Sequence, residues 1–148
     1  AQLDGGQAHV TFDHAVAGLP RGARGRKAPR VPYTAWMLIE HMRLCQQDIL
    51  EYARDPAWVS PAWPDGYWPA GKAPPSDRAW GESIERFGAD ARALRDLVAD
   101  PATDLLAPLP HGLDASHNVM RQALLAADHN AYHTGQLIVV RRALGAWT

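Results

Sequence analysis

Apolar residues recur at three- and four-residue intervals in three long stretches of the chain, and no period-two alternation is sustained. The first stretch carries Leu38, His41, Met42, Cys45, Ile49 and Tyr52 on one face. Thr34 has the side chain of an N-cap and Asp55-Pro56 ends the run, which predicts a helix over residues 34–53. The second repeats Trp80, Ile84, Phe87, Ala91, Leu94 and Val98, opens at Ser76 and stops before Pro101. The third covers residues 116–144, with Gly145 suited to the position after the helix and Arg141-Arg142 suited to its negative end. At 1.5 Å per residue this last helix is about 43 Å long. A shorter helix over residues 11–19 precedes them and ends before Pro20. The pattern predicts an all-α fold.

The link over residues 54–75 adds a topological constraint. It holds six prolines with Trp58, Trp63, Tyr67 and Trp68. An extended, proline-rich chain of that length covers about 60 Å, whereas the helices it joins are only about 30 Å long. Antiparallel neighbours need only about 2–8 residues. A strap laid along the bundle follows, with the helices on either side of it parallel. The whole is then a four-helix bundle in up-down-down-up order. The loop aromatics are expected to pack as a hydrophobic strap, to line a pocket mouth, or to cover a dimer surface.

Composition narrows the function classes. The 148 residues make one domain, large enough to bury its core without a disulfide or structural metal. A net charge of −1 with both signs interspersed argues against a nucleic-acid surface or a polybasic membrane patch. The basic, Gly- and Pro-rich stretch over residues 21–30 reads as a solvated loop. Cys45 is the single cysteine, so no internal disulfide forms and a cytoplasmic setting is expected. No apolar run reaches the roughly 18 residues of a membrane span. The chain opens on Ala1 without Met, so a truncated N-terminal piece is expected ahead of the short first helix.

The chemistry lies in Asp128-His129-Asn130-Ala131-Tyr132-His133-Thr134-Gly135-Gln136. Four-residue spacing on a helix puts His129 and His133 on one face, with Cβ atoms about 5–6 Å apart. Two Nε2 atoms can then converge on one ion. Spacing alone is weak, and a lone core histidine is usually structural. His41, between Leu38 and Cys45 on an inward stripe, supplies the third imidazole, and bundle cores are a recurrent place for metal sites built from facing helices. Three neutral imidazoles suit Zn²⁺, Ni²⁺, Fe²⁺ and Cu²⁺ alike, so the residues do not choose the metal, and Zn²⁺ or Ni²⁺ is the expectation. They also leave at least one coordination position open, the pattern of catalytic sites. Such an ion acidifies a bound water or binds a thiol as thiolate.

Cys45, one turn beyond His41, reads first as a small buried hydrophobe and second as a fourth ligand. Asp48 and Asp128 are candidates to orient ligand imidazoles, or simply solvated carboxylates. His14 could approach the site from the short first helix; His9, His111 and His117 are weaker candidates. Tyr132 and Asp128 point about 100° away from the neighbouring ligands, so no acid or base stands out.

Trp36-x-x-Ile39-Glu40-His41-Met42-Arg43 together with Ala127-Asp128-His129-Asn130-Ala131-Tyr132-His133-Thr134-Gly135-Gln136 resembles the DinB-like, or YfiT-like, metal-dependent superfamily. The strap Trp63-Pro64-Asp65-Gly66-Tyr67-Trp68-Pro69 resembles one bacterial branch of it. The resemblance implies a four-helix bundle, usually a homodimer, holding a divalent metal through three histidines. Position by position those would be His41, His129 and His133. Relatives with known activity include thiol-dependent transferases and isomerases that use mycothiol or bacillithiol. The expectation is a metal-dependent enzyme, a small-thiol S-transferase or a hydrolase, with a non-catalytic dimeric metal-binding or stress-response module as the alternative. The chain departs from the family in its short first helix.

Overall fold

The structure, a computed structural model, describes residue 3 and residues 5–147. Among these residues every regular element is helical: α1 (Phe12–Val16), α2 (Arg21–Arg24), α3 (Ala35–Arg54), α4 (Asp77–Ala99) and α5 (Val119–Ala143), with a 3₁₀ turn at Asp65–Tyr67. Each long helix begins on a side-chain cap that satisfies a backbone N–H left free by the helix geometry. Thr34 accepts from the Met37 N–H at 3.2 Å, Ser76 from Ala79 at 3.0 Å, and Asn118 from Arg121 at 2.8 Å. Helix α5 therefore starts later than its hydrophobic pattern predicts. The Asp114 carboxylate takes the Ser116 N–H at 2.7 Å and holds that stretch in a turn, a local competitor of helix. At the other end Gly145 has φ +65°, a conformation that L side chains resist, and the Ala146 N–H closes back on the Arg141 carbonyl at 2.8 Å.

Helix α3 is central, and the side-chain pairings give its neighbours their directions. Gln46 meets Asn130 and Tyr52 meets His117, so α5 runs opposite to α3. Trp36 lies against Trp80 and Leu50 clusters with Leu94, so α4 runs with α3. The intervening strap retraces α3 from end to start, with Trp58 and Tyr67 bonded to Asp48 and the Lys72 carbonyl to Thr34. A Cβ on Gly25 would collide with Ala73 of the strap, so only glycine lets these segments meet. The core is Leu38, Ile39, Met42, Leu50, Leu94, Leu137 and Val140, all essentially inaccessible.

The fourth position of the bundle is occupied by the N-terminal segment rather than by a full helix. Phe12 packs on Phe87 with ring centroids 4.0 Å apart, and Leu3 joins the cluster of Ile49, Leu50, Leu94 and Ala126. Helix α1 is five residues, shorter than the nine expected, since Gly18 and Pro20 leave no room to extend it. Arg141, 5 % exposed, donates to the Ala15 and Ala17 carbonyls at 2.6 and 2.8 Å and so caps α1 from the end of α5. The basic stretch after Pro20 is not wholly a solvated loop. Arg21–Arg24 forms one helical turn, Ala23 is buried, and Arg24 reaches Asp77 at 3.0 Å while its guanidinium covers Trp80. No helix among the described residues is long and apolar enough to cross a membrane.

Candidate metal centre

Helices α3 and α5 bring three imidazoles together. His41 Nε2 lies 3.2 Å from His133 Nε2 and 3.2 Å from His129 Nε2. Two nitrogens held 2.0–2.1 Å from a tetrahedral ion stand about 3.3 Å apart, so this is the spacing of ligands around one ion. The partners of the other ring nitrogens sharpen the point. His41 Nδ1 is 2.7 Å from the Tyr67 carbonyl, which can only accept, so Nδ1 carries the proton and Nε2 a lone pair. His133 Nδ1 is 2.8 Å from Gln136 Oε1 and is a donor for the same reason. Lone pair therefore faces lone pair across the His41–His133 contact, an arrangement that a cation between them would satisfy. His129 Nδ1 is buried without a partner among the described residues. The donor set fits a divalent ion.

Electrostatics agree with the geometry. Burial pushes His129 down to about 4, with His133 and His41 adding to the effect. Burial also lowers His41 and His133, against opposing hydrogen bonds to Tyr67 and Gln136. All three rings are neutral at pH 7, the form in which imidazole binds a metal. Trp68 stacks on His41 with centroids 4.0 Å apart and planes 5° apart, which fixes the ring's orientation. A cavity of about 440 Å³ opens on the three imidazoles between Ile49, Leu125, Trp63 and Trp68.

Cys45 lies at the edge of the cluster. The donor atoms of His41, Cys45 and His129 are all within 4.8 Å of one another, and Sγ is 3.8 Å from His41 Nε2. Burial, and then Asp48, push its thiol up to about 12, so it is protonated at neutral pH unless a cation displaces the proton.

The other sequence candidates divide. Asp48 does not touch an imidazole; its two oxygens accept from Trp58 Nε1 at 2.7 Å and the Tyr67 hydroxyl at 2.8 Å, so it anchors the strap. Asp128 is exposed. His14 stacks near Trp147 and His9 bonds the Val10 carbonyl, both away from the centre. His111 and His117 gather around Tyr52 instead. Sequence reasoning missed the three groups that orient the rings. Gln136, three residues after His133, was accessible from helical spacing. The Tyr67 carbonyl and the Trp68 ring were not, because an irregular loop carries no periodicity to say where it passes.

The family model for the DinB superfamily matches residues 6–137, which takes in the N-terminal segment, α3, the strap, α4 and both histidines of α5. The chain belongs to the DinB superfamily. Comparison with curated proteins and with solved structures gives no match. For this DinB-superfamily chain, the histidine cluster and the fold are consistent with a metal-binding bundle.

Proposed function

We propose that His41, His129 and His133 hold one divalent ion, Zn²⁺ or Ni²⁺, and that the protein transfers a group to a small thiol. The convergence of three Nε2 atoms, two of them left with lone pairs by Nδ1 donation to Tyr67 and Gln136, carries this reading. When bound, the ion supplies the positive charge that acidifies a thiol, or water in the hydrolytic variant, near neutral pH. The chain's own contribution is to orient. Trp68 and the Tyr67 carbonyl hold His41, Gln136 holds His133, and Ile49, Leu125 and Trp63 border a largely apolar cavity beside the imidazoles. A second reading, a closed site of three histidines and Cys45 that stabilises or senses, is favoured by the proximity of Cys45 to His41 and His129.

Cobalt substitution separates the two, because thiolate ligation introduces intense near-ultraviolet charge-transfer bands that water does not. Bands that need added thiol, persist in Cys45→Ala and vanish in His129→Ala support the transferase. Bands present without added thiol and lost in Cys45→Ala overturn it in favour of the closed site.

We also propose a homodimer. Leu124, Tyr132 and Val139 of α5 are 62 %, 62 % and 55 % exposed, and Trp63 of the strap is 79 % exposed, apolar side chains that a second copy would cover.

A further inference from the structure

Asp48 stands seven residues after His41, about two turns and about 10 Å along the same face of α3. Both of its oxygens are engaged by the strap. Oδ1 accepts from Trp58 Nε1 at 2.7 Å and Oδ2 from the Tyr67 hydroxyl at 2.8 Å. A carboxylate acceptor makes such bonds shorter and stronger than neutral pairs do. The two donors lie nine positions apart in the chain. One side chain therefore pins the stretch that carries Trp63 to the cavity beside the imidazoles.

Tyr67 links that carboxylate to the centre. Its hydroxyl ends on Asp48, while its backbone carbonyl takes His41 Nδ1–H at 2.7 Å. The next residue, Trp68, lies flat on the His41 ring. Beyond Trp68 the strap has restraints of its own. Tyr33 stacks on Trp68 with centroids 4.9 Å apart, and the Thr34 hydroxyl donates to the Lys72 carbonyl at 2.6 Å. Upstream of Trp68 the strap is held to α3 by Asp48, through both Trp58 and Tyr67.

We propose that Asp48 is a positioning residue of the metal centre, acting through Tyr67 on the proton-bearing side of His41, and that metal binding and docking of the strap form one coupled equilibrium. The inference rests on the reading of His41, His129 and His133 as ligands. An acceptor on the far nitrogen of a ligating histidine sets the orientation of the ring, and its loss typically weakens metal binding about 10- to 100-fold. Asp48 stands one bond further out, so its removal falls at the lower end of that range. The coupling is reciprocal: whatever factor the docked strap adds to metal affinity, bound metal adds to the docking of the strap.

The test measures cobalt affinity of the full chain by competition with a chelator. Every variant is also made in Cys45→Ala, so that the thiol on the same cavity is not a second route. Asp48→Leu should bind about tenfold more weakly than the wild type. Asp48→Asn should stay within about threefold, because an amide still accepts from Trp58 and donates to the Tyr67 hydroxyl oxygen. Tyr67→Phe keeps the backbone carbonyl and the ring but loses the bond to Asp48. It should match Asp48→Leu, and the double variant should be no weaker than either. Arg141→Met, which loosens the N-terminal segment instead, should keep wild-type affinity and so separates positioning from general loss of stability. Bound cobalt should slow chymotryptic cleavage at the strap's aromatic residues about tenfold in the wild type and little in Asp48→Leu. Wild-type affinity in both Asp48→Leu and Tyr67→Phe, additive losses in the double variant, or strap cleavage indifferent to cobalt overturns the coupling. A wild-type chain that takes up no cobalt, or holds it equally in His41→Ala, overturns the histidine reading and the coupling with it.

Discussion

The amide oxygen of Gln136 accepts from His133 Nδ1, and the Tyr67 carbonyl accepts from His41 Nδ1; these two bonds determine which nitrogen of each ring presents a lone pair. Partners of this kind govern metal affinity almost as strongly as the ligands themselves. Gln136→Leu should therefore weaken metal binding about 10- to 100-fold without disturbing the helix, while Gln136→Glu, which keeps an acceptor, should bind close to wild type. A competition titration against a chromophoric chelator reads both. Equal affinities for wild type and Gln136→Leu would contradict the role given to Gln136. His129 Nδ1 is buried with no such partner among the described residues, with Asn130 as its neighbour along α5.

At the scale of elements, the centre depends on the antiparallel pairing of α3 with α5 and on the strap that covers it. The three long helices were legible in the sequence because Thr34 and Ser76 cap runs whose apolar residues recur at helical spacing. His41, His129 and His133 were legible for the same reason, since helical spacing alone sets which side chains share a face. The strap's course along α3 followed from its length and proline content, but its contacts did not. Trp68 stacking on His41 and the Asp48 bonds to Trp58 and Tyr67 are tertiary choices that no local pattern encodes. The role of Arg141 was hidden likewise. Its position suits the end of α5, where its Nε bonds the Ala146 carbonyl, yet its Nη1 also serves α1. Arg141→Met keeps much of the bulk but leaves the Ala15 and Ala17 carbonyls unbonded, at a cost of about 2–4 kcal/mol. Thermal unfolding should show a lower midpoint with metal stoichiometry unchanged; an unaltered midpoint would mean that the N-terminal segment does not depend on this clamp.

At the scale of the whole molecule, α5 has two faces with different duties. One carries His129 and His133 inward; the other leaves Leu124, Tyr132 and Val139 to solvent. The proposed homodimer predicts a species of twice the 16.2 kDa chain mass by light scattering at micromolar concentration. Tyr132→Glu should shift it toward monomer, and a clean monomer in the wild type would contradict the proposal. The centre itself is built within one chain, so metal binding should survive dissociation.

The central claim is that His41, His129 and His133 share one ion, and elemental analysis after metal loading and dialysis tests it most directly. The account predicts about one ion per chain in the wild type and in Cys45→Ala, and little in His41→Ala, His129→Ala or His133→Ala, because the surviving imidazoles offer too few ligands to hold it. Wild-type metal content retained in both His41→Ala and His133→Ala would contradict it.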